Sequence, residues 1–347
     1  MIKRIISKLI EKKDLTFQET RGVFLDIFEE RLTSSQIAAF LVALRLKGET
    51  SQEISAAAGV IMEKAKKIKV RDDFLGIEKD EPIVDTCGTG GSGVNKFNIS
   101  TATSFVVAAS GVKVAKHGNR AVSSTCGSAD VFEVLGIKIN SPCDVMEEAI
   151  KKVGIGFLYA PLYHPAFGVV APIRREVGIR TIFNILGPLC NPAKASHQLL
   201  GVFSADYMVK MAKALRDLGV RRAFVVHGRD LGDEISLTGE TKVVFLNKKR
   251  ISQIKLHPSS FGLKKCKLRD LEAKDASASA RIIKEVLAGK KGAPLDIVLA
   301  NASACFYILG RVGSLKDGVK LASQLIHSGK AKKKFLEFKN FLSIRAN

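Results

Sequence analysis

The amino-acid sequence predicts an α/β protein: a small N-terminal helical domain joined to a large α/β domain with a central, mostly parallel sheet. Three observations carry that prediction. Capping-box patterns recur three times in the first seventy residues. From Pro82 onward, short apolar runs alternate with helical segments, the rhythm of a parallel sheet with crossover helices. One of those runs leads directly into a glycine-rich loop and then a helix start.

The helical domain is placed at residues 1–72. Thr16-x-x-Glu19, Thr33-x-x-Gln36 and Thr50-x-x-Glu53 each stand ahead of an amphipathic segment. Phe24, Ile27 and Phe28 form one apolar stripe, and Ile37, Phe40, Leu41 and Leu44 another. The hydrophilic stretch 64–81 is the passage to the α/β domain, placed at 82–347. There the expected strands are 83–84, 112–115, 156–159, 201–203 and 223–226, separated by helices at 101–110, 129–135, 144–153 and 205–218. Three further strands, 235–237, 243–246 and 251–256, follow without helices between them. Helices at 276–287, 296–309 and 315–327 close the chain. The segment 162–192 has four prolines and is too irregular for a plain sheet connection. It is expected where the domains meet, with about 165–195 completing the helical domain.

Composition narrows the class. With 46% hydrophobic and 26% charged residues, the 347-residue chain is globular and not disordered. No apolar run approaches the ~18–20 residues that span a bilayer, and the N-terminus offers no signal-peptide core. A cytoplasmic protein without membrane partners is expected. Six cysteines lie far apart with no CxxC pair, which suggests neither a zinc site nor a disulfide framework. The formal charge of +21 suits either nucleic acid or a basic surface around a site for anionic substrates. The clusters at 248–250, 264–265, 290–291 and 332–334 read as loops and helix ends. They lack the interleaved aromatic residues of a stacking platform, which favours the second reading.

The glycine loop points to a phosphorylated ligand. Gly88, Gly90, Gly91 and Gly93 follow the apolar Ile83-Val84, and an apolar helix begins behind Asn98-Ile-Ser100-Thr101. Such a loop turns several backbone N–H groups and the positive end of a helix dipole toward an anion. Glycine lets a phosphate approach without a Cβ in the way. The loop lacks the Gly-Lys-Ser/Thr ending of a nucleotide P-loop, and no acidic residue stands at the distance a dinucleotide ribose requires. Lys116-His117-Gly118-Asn119-Arg120 and the run from Ser123 to Asp130 begin or end apolar elements. They are therefore expected at one end of the sheet, where open α/β proteins bind ligands. The run from Ser123 to Ser128 also suits a plain helix cap. Further on come His164-Pro165, Arg174-Arg175-Glu176, the run 180–188 and the acidic pair Asp233-Glu234.

KHGNR at 116–120, RTIFNxLGPLxNP at 180–192 and DEIS at 233–236, in this order, closely resemble the anthranilate phosphoribosyltransferases of tryptophan biosynthesis. The resemblance runs from the N-terminal helices to about residue 310. It implies that the amine of anthranilate displaces pyrophosphate from phosphoribosyl pyrophosphate, giving phosphoribosyl-anthranilate. Displacement at a sugar C1 passes through an oxocarbenium-like state, and an aromatic amine is already neutral at pH 7, so positioning and electrostatics outweigh a strong base.

The resemblance also implies residue roles. Gly88, Thr89, Gly90, Gly91 and Ser92 would cradle pyrophosphate, with Asn98, Ser100, Thr101, Lys116 and Ser128 as further contacts to phosphoribosyl pyrophosphate. Asp233 and Glu234 would hold Mg²⁺, with Ser100 nearby; Mg²⁺ favours hard oxygen ligands and substrate phosphates. Arg174 would pair with the anthranilate carboxylate. Gly88, His117, Asn119, His164 and Pro188 would line the anthranilate path. A homodimer joined through the helical domain is expected.

Two departures stand out. Ser92 occupies a position where the family usually has aspartate, which is expected to alter Mg²⁺ or phosphoribosyl pyrophosphate affinity while activity is kept. Asp230-Leu-Gly-Asp-Glu stands where Gly-Leu-Asp-Glu is commoner, so a different local loop is expected. The rivals are a nucleic-acid-binding paralogue of the same fold without the transferase reaction, which the +21 charge and Ser92 support, and a pyrimidine nucleoside phosphorylase. The intact Arg174 and RTIFNILGP motif, which nucleic-acid binding has no physical need for, argues against the first. The KHGNR and RTIFN combination is not the signature of the second.

Overall fold

The computed structural model describes residues 1–70, 80–121 and 126–345. Four helices open the chain: α1 (Ile2–Ile10), α2 (Phe17–Phe28), α3 (Ser34–Lys47) and α4 (Ser51–Lys64). All three capping boxes form. Thr16 Oγ1 accepts the N–H of Glu19, while the Glu19 carboxylate accepts the N–H of Thr16, and the same reciprocal pairs start α3 and α4. Glu53 does more than cap. Its buried carboxylate also accepts the N–H of Leu15 at 2.9 Å and the Lys47 ammonium at 2.9 Å, tying α4 to the ends of two neighbouring segments.

The seven-stranded sheet runs β3-β2-β1-β4-β5-β6-β7. Strands β1 (Ile83–Gly88), β2 (Lys113–Gly118), β3 (Ile155–Tyr159), β4 (His197–Gly201) and β5 (Arg222–Gly228) are parallel. Strands β6 (Thr241–Asn247) and β7 (Arg250–Leu256) extend the sheet as an antiparallel hairpin. One face is covered by α5 (Ile99–Ala108), α6 (Ser128–Val134), α12 (Ala276–Leu287), α13 (Ala293–Ile308), α14 (Leu315–His327) and α15 (Lys330–Arg345), around a core that includes Phe105, Phe132 and Phe306. The other face shares a core with the four N-terminal helices, to which Phe24 and Phe40 contribute together with Leu200 and Val225 of the sheet. Three helices complete that second core: α9 (Phe167–Val177), α10 (Phe183–Leu186) and α11 (Met208–Asp217). The short α7 (Cys143–Glu148) and α8 (Ala160–Tyr163) flank β3.

Several sequence expectations are corrected. The strand expected at 201–203 is β4, which begins four residues earlier. Its first residues, His197 and Gln198, are polar but buried, so the apolar run marked only its end. No strand forms at 235–237. Ile235 and Leu237 are buried, but the Ser236 N–H goes to Thr241 Oγ1 at 2.8 Å instead of to a neighbouring strand. The helix expected at 144–153 divides into α7 and a π-helical turn (Ala149–Val153), and the one at 205–218 opens with a 3-10 turn. The helix at 315–327 does not close the chain: α15 follows, with Lys332, Lys333 and Lys334 near its start and Ala331, Phe335, Phe338 and Leu342 as its buried stripe. Part of the passage 64–81, including the expected domain end at 72, lies outside the described residues, as does 123–125 of the polar run.

Candidate active site

The strand order reverses between β1 and β4, and the chain leaves these two strands in different directions. This is the switch point at which an open parallel sheet leaves a crevice. The glycine loop starts there. Thr89 N–H donates to Gly201 O at 2.9 Å, and Thr89 Oγ1 accepts Phe203 N–H at 3.0 Å, so the loop is fixed to the end of β4. Gly90, Gly91 and Gly93 have φ of 64°, 71° and 72°, the left-handed region in which a side chain is strained.

A tight turn after β5 delivers the acidic pair into the same crevice. Gly228 and Gly232 exchange backbone hydrogen bonds, with Asp230 at φ 61° and Gly232 at φ 64°. Asp233 then packs against both strand ends. A Cβ on Gly201 would stand 1.8 Å from Asp233 O, and one on Gly88 would stand 2.6 Å from Asp233 Oδ2. Gly201 therefore cannot carry a side chain against the Asp233 backbone, and a Cβ on Gly88 would push the Asp233 carboxylate out of its place. Asp233 Oδ2 accepts the N–H of Gly90 at 2.9 Å, and Lys96 Nζ donates to Asp233 Oδ1 at 2.7 Å. Arg180 holds the loop from another side, donating to Gly91 O at 2.5 Å with its guanidinium 4.4 Å from the Phe203 ring centroid.

The ladder between β1 and β2 contains only the pairs 83–113 and 84–114, after which the strands part. Side chains take over the backbone groups that the opening leaves free. The buried Asp85 accepts the His117 N–H at 3.1 Å and the Asn191 amide at 2.8 Å. Asn191 also donates to Ala115 O at 2.8 Å, and Lys116 Nζ donates to Thr86 O at 2.6 Å and to Ser100 Oγ at 3.1 Å. Burial pushes the Lys116 ammonium below its ordinary pKa and Asp85 above its own, while the attraction between the two opposes both shifts. Glu234 accepts a backbone hydrogen bond from Ser100 at the start of α5. Burial, with Asp233 beside it, pushes its carboxyl up to about 7 against the pull of Lys96 and Lys116.

Successive side chains on a strand face opposite ways. Lys116 therefore meets α5, while His117 turns to the other face, where its Nδ1 lies 3.1 Å from Gly187 O. His164 stands edge-on to His117 with 5.2 Å between centroids, and Phe167 and Phe183 continue the aromatic wall. Burial holds both imidazoles neutral, His117 near 3 and His164 near 4. His117 Nε2 and both ring nitrogens of His164 are buried without a hydrogen-bond partner among the described residues, although the Cys190 backbone lies close to His164. The Arg174 guanidinium lies 5.6 Å from the Phe183 centroid. Among the described residues it has no ion-pair partner, and burial pushes its pKa down, as for a cation short of a counter-charge.

The crevice therefore gathers Gly88, Thr89, Gly90, Gly91, Ser92, Ser100, Lys116, Asp233 and Glu234 on one side. His117, His164, Arg174 and the Gly187-Pro188 turn lie on the other. Asn119 and Ser128 lie together at the end of β2: Gly118 has no room for a Cβ, which would stand 2.2 Å from Ser128 Oγ, and Ser128 Oγ donates to Asn119 O at 3.4 Å. Two expected contacts are turned inward. Asn98 Oδ1 accepts from Ser279 Oγ and Cys126 Sγ, and Thr101 is fully buried with its hydroxyl unpartnered among the described residues. Sequence reasoning assigned no role to Lys96, Arg180, Asp85 or Asn191. Lys96 was legible only through its nearness to the loop, and Arg180 and Asn191 stood inside the motif at 180–192.

No group of three or more His, Cys, Asp or Glu gathers to hold a metal among the described residues. A divalent cation that also binds substrate phosphates needs only one or two carboxylates, so the hard oxygens of Asp233 and Glu234 fit such a shared ion.

Residues 80–332 match the a/b domain of a glycosyl transferase family, and residues 3–65 match its helical bundle domain. The chain is 48% identical over 339 residues to an anthranilate phosphoribosyltransferase of Citrifermentans bemidjiense, covering 96% of each chain. It is 47% identical to one of Geobacter sulfurreducens over 97% of this chain and 98% of the other. Among solved structures, the anthranilate phosphoribosyltransferase of Thermus thermophilus superposes with a TM-score of 0.90 at 40% identity, covering 98% of this chain and 99% of that one. The Saccharomyces cerevisiae enzyme in complex with PRPP and Mg gives a TM-score of 0.88 at 28% identity, covering 99% and 98%.

Proposed function

Given that the chain belongs to the anthranilate phosphoribosyltransferase family, we propose that the two halves of its crevice hold the two substrates of that reaction. The enzyme joins the anthranilate amine to C1 of phosphoribosyl pyrophosphate. The new C–N bond forms as the C1–O bond to pyrophosphate breaks, and the amine sheds one proton.

The observation that carries the division is Arg174, a half-buried guanidinium beside an aromatic wall with no ion-pair partner among the described residues. An aromatic carboxylate supplies both the missing charge and a ring to pack. Gly88, His117, Asn119, His164 and Pro188 line its path, and the unpartnered nitrogens of the two histidines leave hydrogen-bonding capacity for it. With pKa values near 3 and 4 these imidazoles are poor proton acceptors at pH 7, so they orient the amine rather than deprotonate it.

On the other side, the glycine loop 88–92 holds the leaving pyrophosphate, with Ser100, Lys116 and Ser128 as further contacts. Asp233 and Glu234, with Ser100 nearby, hold Mg²⁺, which when bound neutralises charge on the pyrophosphate. The yeast relative's complex with PRPP and Mg supports this assignment. We take the helical domain to comprise residues 1–72 with about 165–195, a reading supported by the apolar core that α1–α4 share with α9 and α10. Exposed Ile10 and Leu46 on this domain support a homodimer formed through it. A cytoplasmic location fits a biosynthetic enzyme, and no helix among the described residues is long and apolar enough to cross a membrane.

The deciding assay mixes purified protein, anthranilate, phosphoribosyl pyrophosphate and Mg²⁺ and follows the loss of anthranilate fluorescence. Turnover is expected. Its absence, with tight salt-sensitive binding of DNA or RNA, would support the nucleic-acid-binding alternative.

A further inference from the structure

Lys96 lies at the centre of the phosphate half. Its ammonium donates to Asp233 Oδ1 at 2.7 Å, to Leu231 O at 2.9 Å and to Ser92 Oγ at 3.0 Å, so all three of its donors are engaged. Both partners of the ion pair are nearly enclosed, with side-chain exposures of 12% and 10%. The backbone carrying it is fixed as well. Lys96 bridges to Glu272, the next residue Phe97 is fully buried, and the Phe97 N–H donates to Leu271 O at 3.0 Å. Lys96 thus joins the glycine loop, through Ser92, to the acidic turn after β5.

We propose that Lys96 is a built-in cation that occupies Asp233 in the substrate-free enzyme and sets how tightly the divalent metal binds beside the pyrophosphate. The inference rests on the assignment of Asp233 and Glu234 to the metal. An ammonium at 2.7 Å uses the same carboxylate lone pairs a metal needs, and its charge repels an incoming dication at this enclosed site. Asp233 Oδ2 accepts the Gly90 N–H and Oδ1 the Lys96 ammonium, so one lone pair on each oxygen is already taken. A metal at Asp233 therefore either shares the carboxylate with Lys96 against its charge or displaces it along its flexible stem, and Leu231 O and Ser92 Oγ remain as acceptors that can keep it nearby. Lys96 acts here as a positioning and specificity-determining residue.

The test measures Mn²⁺ binding by electron paramagnetic resonance on the full-length protein saturated with phosphoribosyl pyrophosphate. The wild type is compared with Lys96→Met, Lys96→Arg and Asp233→Asn. Lys96→Met is expected to bind Mn²⁺ about tenfold more tightly than wild type, and Lys96→Arg to stay within about twofold of it. Asp233→Asn is expected to bind more weakly. If Asp233→Asn is weakened while Lys96→Met binds as wild type or more weakly, the role of Lys96 is overturned and the metal assignment stands. If Asp233→Asn binds as wild type, the metal assignment itself fails and takes this inference with it. Should Lys96→Met not fold, Lys96→Gln keeps a hydrogen-bonding side chain without the charge and carries the same expectation.

Discussion

Arg174 is the residue on which the proposed anthranilate half of the crevice rests. A guanidinium enclosed against Phe183 without an ion-pair partner among the described residues costs stability that a bound carboxylate returns. Replacing it with alanine is expected to raise the KM for anthranilate about 10- to 100-fold, the loss of one or two charge-assisted hydrogen bonds. The KM for phosphoribosyl pyrophosphate should stay within about twofold, since Arg174 lies on the other side of the crevice. Steady-state kinetics with each substrate varied in turn checks this, and equal rises in both constants would remove Arg174 from the anthranilate half. Lys116 is the opposite case: its ammonium is already engaged by Thr86 O and Ser100 Oγ, so the protein holds it in place before any phosphate arrives.

At the level of elements, the glycines at the strand ends are structural for a steric reason and those within the loop for a conformational one. Gly201→Ala would place a Cβ 1.8 Å from Asp233 O, a clash with backbone that no rotamer relieves. A loss of about 3 kcal/mol is expected in urea unfolding. Gly90→Ala meets no atom within 4 Å and strains only its φ of 64°, for a loss of about 1–2 kcal/mol. Equal losses would show that the approach of Asp233 does not constrain the strand end. Much of this level was legible in the sequence. The three capping boxes announced α2, α3 and α4, and the glycine run announced the tight loop after β1, because each rests on local chemistry. The start of β4 and the parting of β1 from β2 were hidden, because buried polar residues such as Gln198, Asp85 and Asn191 satisfy distant backbone groups. Helix α15 was hidden for another reason: its lysines outnumber its buried Ala331, Phe335, Phe338 and Leu342, so charge concealed the apolar stripe.

For the molecule as a whole, His117 and His164 link the aryl half of the crevice to acid stability. Their native pKa values near 3 and 4 lie below the ordinary 6.5, so the unfolded chain takes up protons that the folded one refuses. Their contribution is complete above about pH 6.5 and is lost as the pH falls toward 4, at about 2 kcal/mol per imidazole by pH 5. Glu234, raised to about 7, acts in the opposite sense over part of that range, so the histidine share is best read by difference. Between pH 7.5 and pH 5, His164→Phe is expected to lose about 2 kcal/mol less than wild type in urea unfolding. The same loss in both proteins would show that His164 does not titrate as its burial requires. The two cores divide along the same line as the crevice: α5 with Lys116 belongs to one, and α9 and α10 with the aryl wall belong to the other. Between them runs β2, where Lys116 and His117 are consecutive. Because side chains on a strand alternate, a one-residue slip of β2 would send an imidazole to the pyrophosphate and an ammonium to the aromatic ring. On the proposed assignment, the parity of a single strand decides which substrate lies on which side of the sheet, and an insertion within β2 would exchange the two chemistries even if every side chain were kept.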